Sequence, residues 1–294
     1  MRNILVVTGG AGFIGSNLIS ELLKLKKFKI ISIDNYSSGL SKNHIKNKRV
    51  KYLRGNTKNI EILLKNYTGK IHSIFHFAEF ARIYQSFKKI DECFSSNIEG
   101  SSNIFNFALK NKIRLVYSAT SASLGNKGED MNLSPYAFSK AKNLELLENL
   151  KKWFNFRYEV IYFYNVYGER QICKGNMATV VGIFEDCFRL SKKLPVVRPG
   201  TQERRFTHVF DTVIACIFVW RKNKNKHYSI VSKQSHSIIE LAKMFKSKIR
   251  YLPKREGERF ASALTKMNLN NKIIRLSAKI KLRDYIKNFL IKNR

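Results

Sequence analysis

The chain has 294 residues, 12% of them aromatic, and a mean hydropathy of −0.29, so it has enough apolar material for a core and is too rich in it to be disordered. Its formal charge is +34, spread along the whole length with no arginine–aromatic tract, which argues for solvated basic faces and against a specific nucleic-acid partner. Apolar runs such as 213–220 fall well short of the ~20 residues a bilayer requires, so no membrane insertion is expected.

Residues 4–7 read as a short buried strand, and 16–23 carry apolar side chains at helical spacing. Between them lies Thr8-Gly9-Gly10-Ala11-Gly12-Phe13-Ile14-Gly15, which fits Gly-x-Gly-x-x-Gly at Gly10, Gly12 and Gly15. In a strand–turn–helix context those glycines let backbone approach a pyrophosphate at a helix N-terminus. A second strand, 30–33, ends at Asp34, 19 residues beyond Gly15. A carboxylate there accepts ribose hydroxyls and repels a 2′-phosphate, so NAD is expected over NADP.

Further strands are expected at 50–53, 73–78, 115–118 and 159–163, with helices at 60–66, 91–111 and 136–154 between them. Regular alternation of strand and helix implies a doubly wound parallel sheet over residues 1–164. Beyond Tyr164 the alternation fades into helices near 177–190, 212–220 and 238–245 and at the C-terminus, with short strands at 196–197 and 227–231. Residues 165–294 are therefore read as a smaller α/β substrate-binding domain, partly interleaved with the first. Cys93, Cys173, Cys187 and Cys216 show no paired or metal-like spacing and read as buried thiols of a reducing compartment. Histidines are few and scattered, so no metal site is expected. With no leader pattern ahead of the first strand, a cytoplasmic location is expected.

Ser134-Pro135-Tyr136 begins a helix, with Ser134 as N-cap and Pro135 in its first turn. Tyr136 and Lys140 stand one turn apart on one face. A cation about 5 Å from a phenol, at an effective dielectric of about 20, favours the phenolate by roughly 3 kcal/mol, or about 2 pKa units. The spacing thus predicts Tyr136 as a general base activated by Lys140. The strand before it ends in Ser118-Ala119-Thr120-Ser121-Ala122, which offers hydroxyls beside that base.

Together these pieces resemble the extended short-chain dehydrogenase/reductase family, in its NAD-dependent sugar-nucleotide epimerase/dehydratase branch, and in particular the UDP-glucose 4-epimerase-like members. The resemblance spans essentially the whole chain and implies a Rossmann-type first domain. It implies Thr120, Tyr136 and Lys140 as the catalytic set, with Lys140 also holding a ribose. The NAD site it implies comprises Gly9, Gly12, Phe13, Ile14, Gly15, Asp34, Asn35, Asn56, Phe77, Ala78 and Asn97, together with Tyr136 and Lys140. Asn165, Arg204 and Arg255 would hold the diphosphate of the substrate and Glu258 its ribose, and Ser262 falls near a gate beside the sugar. A homodimer is implied, paired through helices 91–111 and 136–154.

The chain departs from that pattern at several places. Asn56 replaces an Asp, Glu79 a small residue beside the nicotinamide channel, Leu124 a Tyr and Arg205 an Asp, while Ala81 stands where a lysine is frequent. Members that eliminate water or carbon dioxide carry acids after the catalytic hydroxyl, and here those positions are Ser121 and Ala122. The expected reaction is therefore epimerisation at C4 of a nucleotide-diphosphate sugar through a transient 4-keto sugar. A net dehydrogenase, an epimerase acting at another carbon of a GDP- or ADP-linked sugar, and a non-catalytic RNA-binding relative are the alternatives.

Overall fold

The computed structural model describes residues 2–124, 132–254 and 273–293. Its centre is an eight-stranded sheet, every neighbouring pair parallel. The N-terminal part supplies β1 (Ile4–Thr8), β2 (Lys29–Asp34), β3 (Val50–Arg54), β4 (Ile71–His76), β5 (Arg114–Thr120) and β6 (Tyr158–Phe163). Strand order runs outward from β1 in two directions, β2–β3 on one side and β4–β5–β6 on the other. At β1 the winding reverses, which opens a crevice at the carboxyl ends of β1 and β4.

Each strand feeds two cores, because successive side chains face opposite ways. In β1, Ile4 and Val6 join one cluster and Leu5 and Val7 the other. Helices α1 (Phe13–Leu22) and α8 (Val209–Lys222) cover the second cluster, through residues such as Leu18 and Val213. Helices α2 (Ile60–Leu64), α5 (Ser101–Lys110) and α6 (Pro135–Phe154) cover the first, through Leu64, Phe105 and Leu147.

Two differences from the sequence reading bear on the site. The single helix expected over 91–111 is α4 (Ile90–Phe94), one π-helical turn (Ser95–Gly100) and α5; a short α3 (Ile83–Lys88) precedes them. The π turn swings Asn97 inward, a placement set by partners distant in sequence and so absent from local periodicity. The later chain also returns to the main sheet. Beyond β7 (Val166–Tyr167), α7 (Val180–Arg189), β8 (Leu194–Val197), β9 (Glu203–Arg205) and β10 (Thr207–His208), strand β11 (His227–Val231) pairs with β6. After β12 (Ser235–Ser237), α9 (Ile238–Met244) and β13 (Ile249–Leu252), strand β14 (Ile273–Ser277) closes that edge beside β11, and α10 (Leu282–Lys292) follows. Phe184, Phe206, Phe245 and Phe289 centre a third core built wholly from this later part.

Candidate active site

The corner between β1, α1 and the end of β4 is walled by backbone. Gly9 has φ +71°, and a Cβ there would stand 2.9 Å from the backbone of Phe77 and Ala78. At Gly15 a Cβ would come within 2.2 Å of the Gly9 carbonyl oxygen. Gly12 caps α1 without a side chain, which leaves first-turn N–H groups at Phe13 and Ile14 for an incoming anion. Asp34 closes the corner from the end of β2. Its carboxylate accepts the N–H groups of Ala11 (3.0 Å) and Tyr36 (2.8 Å). Burial raises its pKa, and those N–H groups, with that of Gly12, pull it back. Asn35 accepts Ser37 N–H at 3.0 Å, and Asn56 accepts Lys58 N–H at 3.0 Å, so both side-chain oxygens shape turns at the rim.

The reacting end lies across the sheet. Ser134 caps α6 by accepting Ala137 N–H at 3.1 Å, and that fixes Tyr136 in the first turn. Tyr136 is buried; its N–H donates to Ser86 Oγ of α3 (3.2 Å), and its hydroxyl is hydrogen-bonded to the Thr120 side chain. Lys140 lies one turn on, and its ammonium donates to the Ser118 carbonyl at 2.6 Å. It also forms an ion pair with Glu79, and the two side chains are only 4% and 2% exposed.

That pair gives Lys140 a buried counter-ion. Glu79 also accepts, at Oε1, the hydroxyls of Ser101 (2.9 Å) and Tyr117 (2.9 Å) and the Asn143 amide (3.2 Å). An ammonium so closely compensated projects little field onto its neighbour. The Tyr136 hydroxyl is pushed up to about 12, mainly by burial and further by Glu79, while the Thr120 hydrogen bond and the Arg82 charge work the other way. Burial also presses Lys140 below its ordinary value, against the pull of Glu79. The spacing of Tyr136 and Lys140 is as expected, and the ammonium has in Glu79 a counter-ion that the spacing alone did not reveal.

A directed string of hydrogen bonds joins the two ends of the site. Ala78 N–H donates to Thr8 Oγ1 (3.2 Å), which lies 2.7 Å from His76 Nδ1; His76 Nε2 lies 2.9 Å from Ser101 Oγ, which donates to Glu79. Burial lowers His76 to about 4, so the ring is neutral, and its partners require the proton on Nε2. Asn97 is fully buried. Its Oδ1 accepts Phe80 N–H (2.6 Å), and its Nδ2 donates to Phe80 O (3.1 Å) and Ser139 Oγ (3.0 Å). Its amide thus pins the Phe80 loop to α6 and presents no group to the channel. Sequence reasoning passed over Ser101, Tyr117 and Asn143, although the unusual acid at Glu79 signalled that something must neutralise it.

In the later part, Asn165 donates to the Arg205 carbonyl at 3.1 Å, which brings the β6 end against β9, where Arg204 stands. Arg204 donates to the Glu203 carbonyl at 2.8 Å. Arg205 itself is tied to the carbonyls of Ser232 and Lys233 at 2.9 and 2.8 Å. Arg255, Glu258 and Ser262 lie outside the described residues. Of the four cysteines, Cys93 and Cys216 are buried, whereas Cys173 and Cys187 are only half-buried.

A tight glycine corner at the head of α1 and a Thr–Tyr–Lys constellation where β5 meets α6 fit what similarity shows. The family model for the NAD dependent epimerase/dehydratase family matches residues 5–231. The chain belongs to that family. It is 28% identical over 273 residues to a putative UDP-glucose 4-epimerase of Methanocaldococcus jannaschii, covering 87% of each chain. To a UDP-N-acetyl-alpha-D-glucosaminuronate decarboxylase of Bacillus cytotoxicus it is 30% identical over 262 residues, 82% of this chain and 79% of that one. The fold matches a UDP-glucose 4-epimerase from Thermotoga maritima, solved with UDP-glucose, at a TM-score of 0.88 and 24% identity, over 98% and 97% of the two chains.

Members of the epimerase/dehydratase family are NAD-dependent, and this corner fits that cofactor. Gly9 and Gly15 let the turn, the head of α1 and the end of β4 approach more closely than any Cβ would allow, which is the tight corner a dinucleotide fingerprint requires. The relatives include epimerases and a decarboxylase, so family membership leaves the reaction to the reacting end.

Proposed function

We propose that this protein is an NAD-dependent epimerase of a nucleotide-diphosphate sugar, acting at C4. The observation that supports it is the Thr120–Tyr136 hydroxyl pair at the end of β5, followed by Ser121 and Ala122, residues that cannot ionise to drive elimination. In this reading Tyr136 takes the proton of the C4 hydroxyl while Thr120 holds the same oxygen. Lys140, kept in line by Ser118 and Glu79, faces the cofactor ribose. Asn165, Arg204 and Arg255 hold the substrate diphosphate, because guanidinium forks suit phosphate oxygens, and Glu258 accepts the hydroxyls of the substrate ribose. Gly9, Gly12, Phe13, Ile14, Gly15, Asp34 and Asn35 seat the cofactor, with Phe77 and Ala78 along its channel. NAD held by these residues would supply a hydride acceptor and donor, so the proposed cycle is redox-neutral. The working unit is a homodimer.

A substrate labelled with deuterium at C4 tests this. The expected product is inverted at C4, retains the label there, takes none from solvent at C5 or C6, and accompanies no net NADH. Tyr136→Phe is expected to lose at least about a hundredfold in rate. Solvent deuterium at C5 would indicate elimination, and NADH rising with substrate a net dehydrogenase; either overturns the reading.

A further inference from the structure

In a parallel sheet wound with helices, the helices run back against the strands, so helix C-termini and strand starts share one rim. That amino rim lies opposite the crevice at the carboxyl ends of β1 and β4. Four of its connections are basic. Residues 24–29 hold four lysines, 110–114 and 151–157 three cations each, and 221–226 four, with no acid in any of them. Apart from the half-buried Arg114, all of these cations are exposed. Compensation of a helix dipole accounts for a lysine in a last turn. It does not account for Lys27, Lys29, Lys112, Lys224 and Lys226, which continue past the helix ends to the strand starts.

The connections are braced into one surface. Arg2 donates to the carbonyls of Asn111 (3.1 Å) and Lys112 (2.7 Å), and Arg49 to those of Leu25 (3.1 Å) and Phe28 (3.3 Å). Trp220, near the end of α8, packs edge-on against Phe28 with ring centroids 5.6 Å apart, and Arg114 donates to its carbonyl. Lys151 donates to the Asn225 carbonyl at 3.0 Å. Burial first, and then Arg114, Lys27 and Arg2, hold His72 below its ordinary value, so these cations converge. Nearby acids offset little of the charge. Glu159 is buried and accepts the N–H groups of Asn225 and Lys226, while Glu21 pairs with Lys24 at 2.8 Å and Glu61 with Lys110 at 3.4 Å. The carboxyl rim is mixed in sign, with Asp34, Glu79 and Asp211 at strand ends or in a first helical turn.

We propose that the amino rim is a docking surface for an anionic lipid bilayer, on which the protein lies without entering it. From β11 through β6, β5, β4 and β1 to β2, the basic connections span roughly 25 Å at ordinary strand spacing, beyond the ~8–10 Å over which salt screens a charge. A planar anion meets all four connections at once, whereas a nucleic-acid rod meets a strip of them. Three arginine forks of this rim, those of Arg2, Arg49 and Arg114, are turned onto loop carbonyls. The outward charge is mostly lysine, a point charge suited to a diffuse anionic face. In this orientation the crevice at the carboxyl ends faces away from the lipid.

The test sediments the full-length protein with vesicles of phosphatidylcholine alone, or with about one third phosphatidylglycerol, at about 0.1 M salt. It is expected to pellet only with the anionic vesicles and to leave them at about 0.5 M salt. Lys26→Gln, Lys27→Gln, Lys29→Gln together and, separately, Lys222→Gln, Lys224→Gln, Lys226→Gln should each weaken partitioning at least about tenfold. The triple variant Lys42→Gln, Lys88→Gln, Lys233→Gln removes the same charge from exposed positions beyond the carboxyl ends, and should change partitioning less than about twofold. Failure to pellet with anionic vesicles overturns the proposal, as do equal losses in all three variants. Displacement from the vesicles by single-stranded RNA at equal phosphate concentration also overturns it, in favour of a nucleic-acid partner. The assay contains no sugar nucleotide, so its outcome is separate from that of the reaction proposed above.

Discussion

His76 sits uncharged between Thr8 and Ser101, and protonating it breaks the string that reaches Glu79. Its folded value of about 4 lies below the ordinary 6.5, so between those values the unfolded chain binds the extra proton. Stability therefore rises with pH across that window and is complete above about 6.5, worth roughly 3 kcal/mol. Urea unfolding at pH 7.5 and pH 4.5 should show this loss in the native sequence, and a loss smaller by about that amount in His76→Gln. For Tyr136 the shift is in the other direction but the pH trend is the same: the base must be deprotonated, burial raises its value, and so activity should climb as pH rises from neutral. The proposed catalytic residues were legible because their relation is local. Tyr136 and Lys140 are one helical turn apart, and Thr120 ends a strand. Glu79 meets Lys140 across 61 residues of sequence, and only the folded chain reveals that the ammonium has a counter-ion.

At the scale of elements, α6 depends on how it starts. Ser134 Oγ takes the Ala137 N–H, and Pro135 occupies the first turn where its missing donor costs nothing. Ser134→Ala should cost about 1 kcal/mol in denaturant unfolding and loosen Tyr136, which shares that turn. The cap was readable from Ser-Pro at the head of a helical pattern. The break in the helix at 91–111 was not, because the π turn is bought by contacts of Asn97 with Phe80 and Ser139, partners 17 and 42 residues away. Strand β11 was legible as a strand, yet its seat beside β6 was not, since pairing across a long connection leaves no periodic trace.

For the whole molecule, the glycine turn, Asp34 and the alternation through β6 were enough to foresee a parallel sheet with its crevice at one rim. What the later chain does is less periodic, because β11 and β14 extend the main sheet while the segments between them build a separate core. No helix among the described residues is long and apolar enough to cross a membrane. Trp153 and Phe154, at the end of α6, remain 63% and 60% exposed. Light scattering should return twice the 34.2 kDa chain mass if α6 pairs with its copy, and a Trp153→Asp, Phe154→Asp variant should shift that toward the single chain. A result of one chain mass for the native protein would dismiss the homodimer. The line of donors from Ala78 through Thr8, His76 and Ser101 to Glu79 runs in one sense only, since Thr8, His76 and Ser101 each already give and receive between a pure donor and a pure acceptor. It acts as a girder between the glycine corner and the lysine. New sugar preferences should thus arise by redrafting the loops after Asn165, where geometry is negotiable, while the girder itself tolerates almost no revision.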